Sequence, residues 1–270
     1  MSRERYLTAT ELPRLDERLS ERDRQIILLL SVLTLMSGAQ VRRVYFADEG
    51  NRRSDGQLAR RVLLRLTRHG LLTRLERRIG GVKSGSDGFT YRLAPAGARL
   101  ASLWAGGELA RGRRLPEPGE PFAAHRLAVS DLYVRLHEAQ ARGELELLQF
   151  QAEPACWRAY TAPLQGAVTL KPDAFVRVGV GEYELWWFIE IDRGTVSRAT
   201  RARQADAYRA FWRAGSGGEV MPRVLWITPS AQVAERAASA IRPEVEPAGL
   251  FFTTTSEQAV VAAAGGKEAP

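Results

Sequence analysis

The segment 171–195 decides the fold predicted for the second half of the chain. It begins with Lys171-Pro172-Asp173, continues through two apolar runs with a turn near Gly179 to Gly181, and ends with Phe188-Ile189-Glu190-Ile191-Asp192-Arg193-Gly194-Thr195. Residues i and i+2 of a strand point to the same face, so Glu190 and Asp192 project together. A hairpin turn is then expected to bring Asp173 beside them.

Three carboxylates gathered this closely repel one another unless a cation, a proton or basic side chains compensate. Hard oxygen ligands of this kind suit Mg²⁺ or Mn²⁺. The pattern therefore predicts a metal site with Asp173, Glu190 and Asp192 as its ligands. The alternative stays open, because acidic residues are common at strand ends and Pro-Asp is a frequent turn dipeptide.

The order Pro-Asp, then Glu-x-Asp on the next strand, resembles the PD-(D/E)xK nuclease superfamily. In that superfamily the position of Asp192 usually holds a lysine, which is thought to position or activate the attacking water. A third carboxylate supplies no positive charge, so the substitution leaves cleavage in doubt. Lys171 is the candidate replacement, because it shares the strand face of Asp173 if the strand begins there; an ordinary solvated lysine is the alternative.

The segment after the hairpin is predicted to be a helix over 198–212. Gln204 and Tyr208 are i, i+4 neighbours on one face of that helix, and a Q-x-x-x-Y pattern at this place resembles the RecB-like branch of the superfamily. A strand over 223–228 follows. The whole order, αβββαβ, resembles a restriction-endonuclease-like core, and the resemblance implies a catalytic set comprising Lys171, Asp173, Glu190, Asp192, Gln204 and Tyr208.

The first third of the chain carries the excess positive charge. Residues 1–105 contain 20 basic and 11 acidic side chains, a net charge of +9, against +8 for the whole chain. Such asymmetry indicates that the N-terminal part binds a polyanion. A surface that is merely rich in arginine is the alternative.

Three helices are predicted in this region, the first starting after Ser20 as N-cap, the second over 39–46 and the third over 55–69, ended by Gly70. Apolar residues of the third helix recur as an inward stripe at Leu58, Val62 and Leu66, with Ala59 and Leu63 beside them. The polar residues that fall largely off this stripe form a candidate DNA-reading face, since arginine pairs with guanine or phosphate and glutamine with adenine. They are Gln57, Arg60, Arg61, Arg65 and Arg68.

A strand over 71–79, a Gly- and Ser-rich tip over 80–88 and a return strand over 89–93 follow, and a further helix begins at 94. This order resembles a winged helix-turn-helix domain of the multiple-antibiotic-resistance-regulator type. The resemblance implies that Arg77, Arg78 and Lys83 of the wing lie over DNA phosphates.

The predicted fold class is α/β, in two domains. A winged helix-turn-helix domain is expected over 1–105, a Gly- and Pro-rich linker over 106–121, a PD-(D/E)xK nuclease-like domain over 122–258 and a disordered tail over 259–270. The 45% hydrophobic content is that of a globular protein. The one cysteine excludes an internal disulfide, and the longest apolar run, 26–36, is shorter than a membrane span of about 20 residues, so a cytoplasmic protein is expected.

Three strings carry a more specific resemblance: A-H-R-L-A-V-S-D-L at 124–132, K-P-D-A at 171–174 and E-I-D-R-G-T at 190–195. Together with the winged helix they resemble the replication-relaxation family of bacterial plasmids, phages and integrative elements. The resemblance implies a DNA-binding protein of a mobile element, acting in replication, relaxation or mobilisation, with metal-dependent nicking or cleavage by Mg²⁺ or Mn²⁺. The alternative is a non-catalytic transcriptional regulator or replication accessory factor. Homodimerisation and contacts with replication or mobilisation proteins stay open.

Overall fold

The computed structural model describes residues 11–47, 52–75, 89–107, 118–162, 166–218, 220–242 and 248–266. The chain forms two compact units, Met1–Val134 and Arg135–Pro270, each mixing helix and sheet. The division between the units lies inside a long helix, whereas the sequence placed the connection at 106–121. Within the described ranges, no helix combines the length and apolar character needed to cross a membrane.

The first unit has six helices and three short strands in its described part. They are α1 (Glu11–Asp16), α2 (Glu21–Leu33), β1 (Met36–Ser37), α3 (Gly38–Tyr45), α4 (Arg52–Arg68), β2 (Leu72–Leu75), β3 (Thr90–Leu93), α5 (Pro95–Trp104) and the N-terminal part of α6 (Glu120–Ala141). The strands form an antiparallel sheet in the order β1-β3-β2.

Local sequence fixes the ends of these helices. Ser20 and Asp23 form a reciprocal capping box at the start of α2, and Ser37 and Gln40 do the same for α3. Gly70 has a φ of 71° directly after α4, which allows the chain to leave the helix in the left-handed conformation. The predicted termination of this helix by Gly70 is therefore confirmed.

Helix α6 begins inside the first unit because its first turns are tied there by polar contacts. Ser130 Oγ donates to the carbonyl of Leu35 at 2.6 Å, and Gln40 Nε2 donates to the carbonyl of Leu127 at 2.9 Å. These buried bonds explain why the compact unit extends past the Gly- and Pro-rich segment.

The second unit is built on a five-stranded sheet in the order β10-β9-β8-β7-β4. Its strands β4, β7 and β8 are antiparallel, while β8, β9 and β10 are parallel. A separate hairpin pairs β5 with β6. The elements are β4 (Glu146–Ala152), β5 (Arg158–Ala162), β6 (Gly166–Leu170), β7 (Ala174–Val180), β8 (Tyr183–Ile191), α7 (Arg198–Arg213), β9 (Arg223–Thr228), α8 (Ala231–Ile241), β10 (Phe251–Thr255) and α9 (Ala259–Ala263).

The alternation predicted for β8 is present. Phe188 packs against Tyr208 and Phe211 of α7, whereas the neighbouring Trp187 packs against Phe252 of β10. Successive residues of β8 therefore serve opposite faces of the sheet.

The end of the chain differs from the disordered tail that was expected from residue 259. Ala259–Ala263 forms α9, in which Ala259, Ala262 and Ala263 are buried, and Trp187 Nε1 donates to the carbonyl of Ala263 at 2.9 Å. Small alanine side chains allow this close packing although they give the sequence no strong apolar signal. Residues 267–270 lie outside the described ranges.

Candidate functional site

Two of the predicted carboxylates meet where β7 begins and β8 ends. The register pairs Ala174 with Ile189, which places Asp173 opposite Glu190. The backbone N–H of Asp173 donates to the carbonyl of Ile189 at 3.0 Å, and Asp173 Oδ2 accepts from the N–H of Ile191 at 2.7 Å. The hairpin therefore brings Asp173 and Glu190 together, as its sequence pattern predicts.

Helix α7 holds the Glu190 carboxylate. Tyr208 donates its hydroxyl to Oε1 of Glu190 at 2.5 Å, and Gln204 Nε2 donates to Oε2 at 3.1 Å. Residues i and i+4 share one helical face, which explains how both donors reach one carboxylate. The predicted grouping of Gln204 and Tyr208 with the acidic residues is therefore what the structure contains.

Burial and nearby negative charge act together on Glu190, which is 5% exposed. Burial raises the pKa of Glu190 well above its ordinary value, the charge of Asp173 raises it further, and the hydrogen bond from Tyr208 opposes the rise. Burial and the charge of Glu190 in turn raise the pKa of Tyr208. Tyr208 is therefore a neutral donor to this carboxylate.

A third carboxylate that the sequence analysis missed lies beside these two. Glu153 directly follows β4, and its N–H donates to the carbonyl of Asp173 at 3.2 Å. One carboxylate oxygen of each residue lies within 4.8 Å of the other, and the charge of Glu153 contributes to the raised pKa of Glu190. We call Glu153, Asp173 and Glu190 the acidic cluster.

The pairing of β4 with β7 places Glu153 there. Ala152 pairs with Ala174, so the residues that adjoin this pair, Glu153 and Asp173, meet at the same edge. Their separation in sequence exceeds the length of one hairpin, because β5 and β6 intervene. Finding Glu153 from the sequence would have required a prediction of the register in which β4 pairs with β7.

The surroundings of Asp192 differ from those expected for the metal ligand that the sequence predicts. It is 3% exposed, its Oδ2 accepts from Arg201 Nε at 2.5 Å, and its Oδ1 accepts from the N–H of Gly194 at 2.8 Å. Protein donors engage both oxygens, as they do in Glu190, but one donor to Asp192 is a guanidinium that neutralises its charge. This geometry disfavours metal ligation by Asp192.

Lys171 does not lie where its predicted role requires. Strand β7 begins at Ala174, so Lys171 belongs to the connection after β6 and shares no strand face with Asp173. Its side chain is exposed, with Nζ 4.8 Å from the centre of the Trp157 ring. The cation–π contact accounts for its position, and the proposed replacement of the absent lysine is not supported.

The negative potential of the acidic cluster also reaches the one cysteine of the chain. Burial raises the pKa of Cys156 to about 12, and the charges of Glu153 and Asp173 contribute to the rise. The thiol donates to the carbonyl of Pro172 at 3.0 Å. Cys156 is therefore a protonated packing residue and not a nucleophile.

The arginine-bearing helix of the first unit is α4. Gln57, Arg60, Arg61 and Arg68 are exposed, while Ala59, Leu63 and Leu66 are buried. Three of the five residues of the predicted stripe are therefore buried, while Leu58 and Val62 are partly exposed. The polar face of α4 is open to solvent, as a surface that binds DNA requires.

Arg65 differs from the other residues of this face because it has a structural partner. Its Nη2 lies 2.6 and 2.7 Å from the two carboxylate oxygens of Asp23, whose side chain is 2% exposed. Asp23 also accepts from Ser20 in the capping box of α2. Arg77, Arg78 and Lys83, the predicted wing residues, lie outside the described ranges.

Comparisons with known proteins identify one family. Neither the curated proteins nor the solved structures contain a significant match to this chain. The sequence profile described as Replication-relaxation matches residues 28–224, well over half of the chain. This match covers α4 of the first unit and the acidic cluster of the second. The chain therefore belongs to the replication-relaxation family.

Proposed function

We propose that this protein binds DNA of a mobile element through its first unit and nicks or cleaves DNA with a divalent metal ion held by its second unit. Membership of the replication-relaxation family supports a role in replication or relaxation of such DNA. The observation that carries the proposal is the meeting of Asp173 and Glu190 at the edge of one sheet, with Glu190 held by two donors from α7.

The topology of each unit supports this assignment. In the first unit the order α2, β1, α3, α4, β2, β3 with a β1-β3-β2 sheet resembles that of a winged helix. In the second unit the C-terminal part of α6 and the antiparallel strands β4, β7 and β8 precede α7 and a parallel β9. With the β5–β6 hairpin set aside, this order resembles the αβββαβ order of the nuclease core. Fold alone does not establish function, so the proposal depends on the side chains.

The acidic cluster fits a hard divalent cation. Its donors are carboxylate oxygens, which Mg²⁺ and Mn²⁺ prefer, and burial, followed by the charge of Asp173, raises the pKa of Glu190. Asp173 and Glu190 would hold the metal, with Glu153 beside them. A bound divalent cation supplies Lewis-acid stabilisation of a phosphate and lowers the pKa of a bound water.

Two residues of α7 hold the carboxylate of Glu190 in position. Tyr208 and Gln204 each bond a different oxygen of Glu190, so the carboxylate plane is fixed before any ligand arrives. Fixed donors of this kind reduce the reorganisation that ligand binding requires. Because the pKa of Glu190 is raised, the cation replaces a proton there, and binding strengthens as the pH rises.

In this proposal the first unit binds duplex DNA. Gln57, Arg60, Arg61 and Arg68 project from the exposed face of α4, and each phosphate that arginine neutralises releases counterions. We therefore expect DNA affinity to fall steeply with salt.

The test compares nicking of supercoiled plasmid by the full chain in Mg²⁺, in Mn²⁺ and in chelator. Asp173→Asn and Glu190→Gln are expected to abolish metal-dependent nicking while DNA retardation in a gel persists. Glu184→Gln is the matched control, because Glu184 lies on the same strand as Glu190 but is exposed and paired with Arg177. Equal nicking by wild type and both site variants would refute the catalytic role of the cluster.

One observation favours a second function, a non-catalytic DNA-binding regulator. Asp192 stands at the position where the nuclease superfamily usually has lysine, and it is neutralised by Arg201. DNA binding by wild type without cleavage in either metal would favour the regulator over the enzyme.

A further inference from the structure

Residues on one face of α7 bond the two acidic residues at and just after the C-terminal end of β8. Arg201, Gln204 and Tyr208 are spaced i, i+3 and i+7, so they lie along one side of the helix. Gln204 and Tyr208 bond Glu190, whereas Arg201 bonds Asp192, two residues further along the chain. Same-face positions of an extended chain lie about 7 Å apart, so the carboxylate that Arg201 bonds belongs to the next same-face position after Glu190 of the acidic cluster.

The Arg201 guanidinium is held at one edge only. Its side chain is 7% exposed and its Nε donates to Asp192. Within the part of the chain that the structure describes, this is the one hydrogen bond that the guanidinium makes. A guanidinium carries five N–H donors, and buried donors are normally bonded. Neither Nη atom is among the fully enclosed atoms that lack a hydrogen-bond partner, although the side chain as a whole is buried.

Asp192 is rigidly placed to hold that edge. Its backbone N–H donates to the carbonyl of Ile227 at 2.9 Å, and its Oδ1 accepts from the N–H of Gly194 at 2.8 Å. The carboxylate that faces Nε of Arg201 is therefore fixed from both its backbone and its side chain. Because a fixed carboxylate holds one edge of the Arg201 guanidinium, the direction in which the two Nη atoms point is fixed as well.

The chemistry of the free edge is that of an anion site. The Nη atoms present paired donors that match two oxygens of a phosphate. The neighbouring carboxylates of Asp173 and Glu190 repel a DNA backbone, so a fixed cation beside them is needed to bring a phosphate close.

We propose that Arg201 is the phosphate-contacting residue of the second unit and that Asp192 is the residue that positions it. The inference rests on the proposed function, in which the acidic cluster acts on DNA, and it gives Asp192 a role other than metal ligation. The ligand is a phosphate diester of the DNA backbone, bound through the two Nη atoms.

The test uses a charge-neutral pair. Arg201→Gln combined with Asp192→Asn removes the cation and the anion together, so no buried charge is left alone and amide groups can replace the hydrogen bond. Arg213→Gln is the matched control, because Arg213 is exposed at the far end of the same helix. Affinity for a short fluorescent duplex is measured by anisotropy over a range of salt concentrations, with thermal melting as the check on folding.

We expect the slope of log affinity against log salt to fall in magnitude by about one in the double variant, the contribution of one phosphate contact. The slope of Arg213→Gln stays that of wild type. The rate of metal-dependent plasmid nicking falls by about 10²-fold in the double variant. Arg201→Lys restores part of the slope and of the rate, because it returns the charge without the paired donors.

The outcomes separate this inference from the proposed function. A wild-type slope in the folded double variant overturns the inference and makes Arg201–Asp192 a purely structural ion pair. A reduced slope without nicking by wild type supports the phosphate contact and refutes the nuclease. If wild type binds no DNA, both are overturned.

Discussion

Replacing Tyr208 by phenylalanine removes one hydroxyl from the centre of the candidate site and nothing else. Tyr208 is 1% exposed, and its hydroxyl donates to Glu190. The ring contacts with Phe188, at 5.8 Å between centroids, and with Phe251, at 6.3 Å, do not involve the oxygen. The variant therefore tests a single hydrogen bond against an unchanged hydrophobic background.

The expected cost follows from the charge and burial of the acceptor. When Glu190 is ionised, a hydrogen bond to it contributes about 1.5–3 kcal/mol to folding stability, against about 0.5–1.5 kcal/mol for a neutral pair, so the larger cost is expected at the higher pH. Because no core volume is lost, no cavity cost is added. The bond from Tyr208 lowers the pKa of Glu190, so its removal raises that pKa further and weakens binding of a divalent cation at a given pH.

The assay is urea denaturation followed by tryptophan fluorescence. Five of the six tryptophans, at 157, 186, 187, 212 and 226, lie in the second unit, so the signal reports its unfolding. Tyr160→Phe is the matched control. Tyr160 is 9% exposed and its ring packs edge-on against Phe211, with no hydrogen bond from its hydroxyl within the described part of the chain.

We expect Tyr208→Phe to destabilise the second unit by about 2 kcal/mol and Tyr160→Phe by less than about 0.5 kcal/mol. Equal effects of the two substitutions would refute the reasoning, because they would mean that Glu190 gains no stabilisation from its tyrosine donor. A cost that persists unchanged when Glu190 is already glutamine would refute it independently.

One of five further substitutions removes the buried charge of Glu190, and the other four form two matched pairs with contrasting expected effects. Glu190→Gln raises stability relative to wild type by an amount that grows as the pH rises above the ordinary glutamate range. A carboxyl whose pKa is raised in the folded state lowers folding stability once the pH favours its ionised form. Urea midpoints that keep a constant difference across pH would contradict this. Arg65→Ala lowers folding stability by about 1–3 kcal/mol, because it leaves the buried carboxylate of Asp23 unpaired. Arg61→Ala lowers DNA affinity and leaves the melting temperature unchanged. The reverse pair of effects would contradict the structural role of Arg65 and the DNA-contacting role of Arg61. Gly97→Ala lowers folding stability by about 3 kcal/mol, because the added Cβ would lie 2.2 Å from a backbone carbonyl oxygen. Gly56→Ala, with open space around its Cβ, raises folding stability by about 0.5–1 kcal/mol. Equal melting temperatures for the two variants would contradict this packing.

The local part of the candidate site could be predicted from sequence because each of its contacts follows from a short repeat. The period of two in β8 places Glu190 on the face of α7, and the i, i+4 spacing brings Gln204 and Tyr208 to it. The hairpin between β7 and β8 is short, so its pairing of Asp173 with Glu190 follows from one turn. These relations depend on neighbours in sequence and need no knowledge of distant register.

The missed or misassigned residues depend on contacts between distant segments. Glu153 reaches the acidic cluster only through the pairing of β4 with β7, across an intervening hairpin. Asp192 fits the alternation of β8, but the sequence does not reveal that Arg201 of the next helix neutralises it. The helix at Ala259–Ala263 depends on the opposite face of the sheet, where Trp187 provides the surface that small alanines cover.

The energetics of the acidic cluster distinguish a ligand site from a structural feature. Burial and the charges of Asp173 and Glu153 both raise the pKa of Glu190, so its ionised form lowers the stability of the folded state. The two donors on α7 reduce this cost and do not remove it, since the pKa remains raised. Asp192 shows what a buried carboxylate looks like when the fold neutralises it, with a guanidinium and a backbone N–H on its two oxygens. The contrast is between Glu190, whose partners on α7 are neutral donors, and Asp192, whose partner Arg201 carries a positive charge, and it is why the proposed cation site is placed at Glu190.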